Sequence, residues 1–375
     1  MGLTSDTVLA LALCTAVLLF AGTVWLWPRL ARRTWRAVSG RVALLLAVQL
    51  TLFASAGLAA NQAFGFYASW ADLLGQETDE GVVVDHTPGG LEGDPLRVVD
   101  TESVPGAGSP DARAGGRIHE VEILGRTTRI ATRAYVYLPP EYFQARYRTR
   151  TFPAAVVLTG YPGTAKALVD KLDYPHTARG LAREGRMRPM ILVMMRPTVA
   201  PPRDTECVDI PGGPQTESFF AKDLPEAVGG HYRVGGKPGS WGIIGDSTGG
   251  YCALKLAMHH PRVYAAGAGL SAYYRAPIDP TTGDLFHGDK TLRNRADLFW
   301  YLKNMPAPDT SLLVSSSKIG ESNYKDTLKF IAGAKATNRT RISSIILESG
   351  GHNFNTWRRE IPATLEWISG RLGDR

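Results

Sequence analysis

The stretch Trp241–Pro261 reads WGIIGDSTGGYCALKLAMHHP, and it decides the fold. Trp241 to Ile244 is a short apolar run of the kind covered on both faces of a sheet, and from Gly249 to His260 apolar residues recur at helical spacing. Between the two lies Gly245-Asp246-Ser247-Thr248-Gly249, a G-x-S-x-G pattern with a strand before it and a helix after it. So abrupt a turn brings backbone segments too close for side chains beside Ser247, and glycine tolerates both close approach and positive φ. The turn lifts the Ser247 hydroxyl clear of the sheet edge and aims the N–H of Thr248 at a developing oxyanion. A turn that is merely rich in Gly and Ser has no need of strand and helix on the correct sides.

The same alternation extends along the chain. Strands are expected at 118–124, 133–138, 154–158, 190–195, 241–244, 265–270, 311–315 and 343–348, and helices at 165–180, 219–229, 249–260, 324–335 and 355–372. Apolar runs such as AAVVL (154–158), MILVMM (190–195) and SLLVS (311–315) belong to strands covered on both faces, so the sheet is predicted to be largely parallel.

A serine hydroxyl is a weak nucleophile until a base takes its proton, and a histidine on a late loop is the expected partner. His352 fits, in ESGGHNF between the last strand and the last helix. The other seven histidines lie in connecting segments, before the core strands, or at the far end of the elbow helix. An acid that orients the histidine should follow the strand 311–315, where Glu321 and Asp326 both occur. Glu321 is the loop residue and the favoured acid; Asp326 starts a predicted helix, where a surface carboxylate in the first turn is common. A second oxyanion donor is expected from Thr159-Gly160-Tyr161-Pro162-Gly163-Thr164, after the strand 154–158. Pro162 has no N–H, which points to Tyr161.

With these residues in place, the sequence resembles the esterase D branch of the α/β-hydrolase superfamily, which also holds mycolyltransferases and feruloyl-esterase-like domains. The likeness rests on AYVYLPPEYF (134–143), VVLTGYPGT (156–164), the Ser247 elbow and GGHNFNTW (350–357), and it covers about 260 residues from Arg117 onward. It implies Ser247 as nucleophile, Glu321 as acid, His352 as base, and Thr248 and Tyr161 at the oxyanion positions. The trehalose-binding parts of the mycolyltransferases have no clear match.

The N-terminal part lies outside that likeness. Residues 7–28 and roughly 42–62 are charge-free apolar runs of about the ~20 residues needed to cross a bilayer core, and Trp25 and Trp27 stand where interfacial anchors do. Arg29, Arg32, Arg33, Arg36 and Arg41 lie between them, so the positive-inside rule places this loop in the cytoplasm and both chain ends outside. Residues 1–75 are read as an anchor of two transmembrane helices, 76–116 as a flexible linker rich in Gly, Pro, Asp and Ser, and 117–375 as the catalytic domain. The formal net charge of +7 resides mostly in those five arginines, which leaves no basic face for nucleic acid.

No H-e-x-x-H, C-x-x-C or phosphate-binding glycine loop occurs, so neither metal nor cofactor is expected. Of three cysteines, Cys14 falls in the first apolar run. Cys252 lies in the first turns after Ser247, and Cys207 lies in the loop after the strand 190–195, which a parallel strand delivers to the same sheet edge. A Cys207–Cys252 disulfide is therefore expected in an oxidising extracytoplasmic space. The whole reads as a serine esterase or acyltransferase held in the lipid bilayer of the cell membrane by its N-terminal helices, working through a Ser-His-Glu triad on a small-molecule, lipid or glycan ester. A tethered binding protein that keeps the fold without the chemistry is the alternative.

Overall fold

A computed structural model describes residues 6–64, 94–201 and 203–373, and the chain divides into two units, 1–79 and 80–375. The first unit holds two helices, α1 (Asp6–Leu26) and α2 (Trp35–Phe64). Within them Thr7–Leu26 and Trp35–Gln62 are long and apolar enough to cross a membrane, and only 11% of either window is buried in the protein. A core helix of a soluble domain would be mostly buried. The second helix starts earlier than the apolar run at 42, so Arg36 and Arg41 ride on its first turns and the loop between the helices is shorter than expected.

The second unit is built on one nine-stranded sheet of order β1-β2-β3-β5-β4-β6-β7-β8-β9. The strands are β1 (Leu96–Glu102), β2 (Arg117–Leu124), β3 (Ala131–Leu138), β4 (Ala154–Leu158), β5 (Ile191–Met195), β6 (Trp241–Asp246), β7 (Ala266–Leu270), β8 (Ser311–Ile319) and β9 (Arg341–Ser349). From β5 to β9 all neighbours pair parallel; β1, β2 and β3 form an antiparallel edge. Consecutive apolar residues serve opposite faces. Ile243 packs with Tyr251 and Leu254 of the elbow helix, α3 (Thr248–His259), whereas Ile244 packs with Ile361, Leu365 and Ile368 of the last helix, α4 (Phe354–Ser369). This two-sided burial is why the strand sequences are continuous rather than alternating.

Eight strands stand where the sequence places them, and β1 is the correction. The segment 76–116 was expected to be linker throughout; its residues 76–93 lie outside those described, but from Leu96 the chain pairs antiparallel with β2, Leu96 opposite Ile123 and Glu102 opposite Ile118. Of β1's side chains only Leu96 is buried, so an edge strand among Gly, Pro and Asp has no apolar alternation to announce it. Two further differences have local causes. The helix expected over 165–180 breaks into Ala165–Asp170 and Tyr174–Arg183, because Asp173 takes a left-handed φ of 55° and Pro175 opens the second piece. No helix is expected between the strands at 265–270 and 311–315, yet Lys290–Ala296 and Leu298–Asn304 are seven-residue helices, each capped by an aspartate: Asp289 accepts from the N–H of Thr291 and Leu292, and Asp297 from Phe299 and Trp300.

Cys207 and Cys252 are joined by a disulfide across 45 residues of chain, and Cys14 is a free, exposed thiol.

Candidate active site

The C-terminal ends of β4, β6, β7, β8 and β9 lie side by side at one edge of the sheet, so residues far apart in sequence arrive there together. Ser247 follows β6, and the turn to α3 forces it to φ 53° and ψ −120°, a conformation side-chain-bearing residues rarely adopt. Its N–H donates to Leu270 O at 2.9 Å, which ties the strained turn to β7. The glycines around it are required by contact: a Cβ on Gly245 would stand 2.1 Å from Gly249 O, and one on Gly249 would stand 2.4 Å from Leu158 O.

His352 follows β9, and its Nε2 lies 2.8 Å from Ser247 Oγ. Glu321 follows β8, and its Oε2 lies 3.5 Å from His352 Nδ1. That separation is longer than a good hydrogen bond. The Glu321 side chain is 1% exposed and accepts a 2.6 Å hydrogen bond from Ser271 Oγ, which in turn accepts one of 2.9 Å from Trp357 Nε1. Asp326, the other acid considered, is exposed in the first turn of the helix Tyr324–Lys335. The structure thus brings together Ser247, His352 and Glu321 and leaves Asp326 outside.

Thr248 is the first residue of α3 and is buried. Tyr161 lies in the loop after β4, joined to Pro162 by a cis peptide bond. The loop presses on the elbow: a Cβ on Gly160 would meet Ser247 Cβ at 2.9 Å, and the N–H of Gly160 donates to Asp246 Oδ2 at 2.8 Å.

Ser271, Trp357, Asp246 and Glu360 also belong to this edge and are not singled out by sequence reasoning. Ser271 and Asp246 end strands β7 and β6, and a polar residue at the C-terminal end of a parallel strand was the available signal. Glu360 is fully buried on α4 and accepts from Ser315 Oγ at 2.8 Å. Burial pushes the Asp246 carboxyl up to about 7, against the opposing pull of the Gly160 N–H. Burial, helped by the nearby Glu321, pushes Glu360 up to about 8 from its ordinary 4.5. Glu360 is therefore protonated in the folded chain where the unfolded chain has already released the proton, so stability falls as pH rises from about 4.5 to about 8. Glu360→Gln is expected to raise the melting temperature over the natural chain at pH 8, with a much smaller difference at pH 5. Thermal melts at the two values check this, and a difference that does not change with pH would contradict it.

Among the described residues, one group of three carboxylates, Asp100, Glu102 and Glu120, is close enough to hold a cation. It sits on the partly exposed edge strands β1 and β2, five and four positions from β6, the strand before Ser247, in the sheet order.

Residues 126–368 match the sequence profile of a family described as "Putative esterase". An uncharacterized protein of Corynebacterium glutamicum is 25% identical over 291 residues, which cover 74% of this chain and 67% of that protein. Among solved structures, an S-formylglutathione hydrolase from Agrobacterium tumefaciens superposes with a TM-score of 0.57 at 16% identity, over 74% of this chain and 100% of that one. A ferulic acid esterase gives 0.59 at 16% identity, over 68% and 98%. A fluorophosphonate-binding serine hydrolase of Staphylococcus aureus gives 0.55 at 15% identity, also over 68% and 98%.

Proposed function

We propose, from the premise that this chain belongs to the "Putative esterase" family and has the α/β-hydrolase fold, that it is a membrane-anchored serine esterase or acyltransferase using Ser247, His352 and Glu321. Family membership makes it a carboxylic-ester hydrolase; the residue roles follow from the site geometry, and the anchoring and sidedness from the apolar helices and their arginines.

The observation that carries the roles is the 2.8 Å approach of His352 Nε2 to the Ser247 hydroxyl at a strained elbow. His352 takes the Ser247 proton as Oγ attacks the ester carbonyl, and the buried Glu321 carboxylate steadies the imidazolium that forms. The tetrahedral oxyanion is met by the N–H groups of Thr248 and Tyr161. His352 then returns the proton to the leaving alcohol, and the acyl group stays on Ser247 Oγ. Water, or a second alcohol, enters from the same side with His352 again as base and frees the acyl group as acid or new ester. Short activated esters are expected to release p-nitrophenol in a burst followed by slower turnover, while p-nitroanilide amides of the same acyl groups turn over far more slowly. Amide turnover equal to or above ester turnover would redirect the reading to a peptidase.

The anchor reading rests on the two apolar, little-buried helices α1 and α2 and on the arginines around 29–41. In that reading the arginine loop faces the cytoplasm and the esterase unit lies outside, where a Cys207–Cys252 disulfide is stable. Protease added to cells with the cytoplasmic membrane exposed is expected to release soluble, active enzyme by cutting between 76 and 93. Release that requires lysis would reverse the sidedness.

A further inference from the structure

Beside the elbow, a second chain of polar groups, separate from the one that ends on His352, reaches Thr248. The Tyr273 hydroxyl lies 2.6 and 2.7 Å from the two carboxyl oxygens of Glu206 and 3.0 Å from Thr248 Oγ1. Tyr273 leads away from β7 two residues after Ser271, and its ring stacks on Tyr251 of α3, with centroids 5.2 Å apart and planes 20° from parallel. Glu206 is 1% exposed, which is costly for a carboxyl unless something requires it there.

The way Glu206 is held is itself unusual. Val208 N–H closes a turn onto Thr205 O at 2.8 Å, and both central residues, Glu206 and Cys207, have positive φ, 48° and 50°. Turns of that hand ordinarily use glycine or asparagine, so two side-chain-bearing residues there carry backbone strain. The turn is fastened to α3 twice, by the Cys207–Cys252 disulfide and by the buried Lys255 ammonium on Cys207 O. Both fasteners lie on the helix that begins at Thr248. The charged groups around Glu206 are Asp204, Asp279 and Lys255, and burial with the nearby Asp204 holds its carboxyl well above the ordinary range.

We propose that Glu206 and Tyr273 are positioning residues that clamp Thr248, so that its N–H stands where the oxyanion forms; this rests on the reading of Ser247 as nucleophile. Tyr273 is the working contact, because its oxygen touches Thr248, and Glu206 acts through it. A phenol has one proton, so it cannot donate to the carboxyl and to Thr248 at once. With Glu206 protonated, the carboxyl donates to Tyr273 and Tyr273 donates to Thr248 Oγ1; with Glu206 ionised, Tyr273 donates to the carboxylate and accepts from the Thr248 hydroxyl. Either arrangement fixes the Thr248 side chain at the first residue of α3, its Oγ1 three covalent bonds from the nitrogen of the proposed donor N–H. Misplacing such a donor affects the oxyanion and leaves the neutral ester ground state nearly untouched.

The test is steady-state turnover of p-nitrophenyl acetate by the detergent-solubilised full chain, with inhibition by phenylboronic acid as a probe of the tetrahedral state and a thermal melt for each variant. Tyr273→Phe is expected to lower kcat roughly 10- to 100-fold, to leave KM within about twofold, and to weaken boronate inhibition by a similar factor as kcat. Thr248→Val should reproduce that pattern and Thr248→Ser should lose less than Thr248→Val, since serine keeps the hydroxyl. Glu206→Gln, which keeps a partner for Tyr273, should cost less than Glu206→Leu. The double variant Tyr273→Phe with Thr248→Val should be no worse than the poorer single one, because both cut one path. Natural kcat and boronate affinity in a folded Tyr273→Phe, or losses that multiply in the double variant, would overturn the clamp and leave the nucleophile assignment standing. A natural chain without ester turnover would overturn both.

Discussion

Ser247→Ala is expected to lower ester turnover by on the order of 10⁶-fold while leaving the melting temperature within a few degrees of the natural chain. The large factor follows from the loss of the hydroxyl that lies 2.8 Å from His352 Nε2 at the elbow. Residual catalysis over water should remain, because the proposed oxyanion donors at Thr248 and Tyr161 are backbone groups that the substitution leaves in place. The fold should survive because Ser247 holds its turn through main-chain groups, its N–H on Leu270 O and its carbonyl accepting from Tyr251 N at 3.0 Å. Circular dichroism and a melt alongside the p-nitrophenyl ester assay separate loss of chemistry from loss of structure. Activity within about tenfold of the natural enzyme in the purified variant would move the nucleophile elsewhere.

The second-largest effect is expected at the acid. Glu321→Gln should reduce kcat by roughly 10³- to 10⁴-fold, since an amide neither stabilises the imidazolium nor enforces the tautomer that leaves Nε2 free to accept the serine proton. Asp326→Asn should change kcat by less than about twofold, because that carboxylate is exposed on a helix turn and touches neither His352 nor Ser247 among the described contacts. Ser271→Ala belongs to the same test: removing the hydroxyl that bonds both Glu321 and Trp357 should give an intermediate loss. Kinetics of the three variants on one substrate check the order. Greater damage from Asp326→Asn than from Glu321→Gln would transfer the acid role.

What could be read from the chain and what could not divides along physical lines. The elbow was legible because three constraints follow one another without a gap from Trp241 to His260: an apolar strand, glycines where backbones nearly touch, and a helix with an apolar face. His352 and Glu321 were legible because a parallel sheet delivers the ends of β8 and β9 to the edge that carries Ser247. β1 was not, because its pairing with β2 satisfies the backbone while its side chains remain mostly exposed, so no apolar pattern marks it. The short helices at 290–304 were missed because seven residues span too few turns to show periodicity; their aspartate caps were the available signal. Glu206 and Glu360 are buried and Tyr273 is half-buried, and their side-chain partners are 25 to 67 residues away, as in Tyr273 with Thr248 and with Glu206, so local sequence carries no trace of such contacts.

The central claim is that Ser247 is the nucleophile that takes the acyl group, and covalent capture tests it most directly. The full chain is treated with a fluorophosphonate, digested, and the modified peptide sequenced by mass spectrometry. The account predicts one equivalent of phosphonate on Ser247, formed rapidly in the natural chain, slowed in His352→Ala and absent in Ser247→Ala. A stable, folded protein that stays unlabelled, or that carries the label on another serine with Ser247 free, would contradict it.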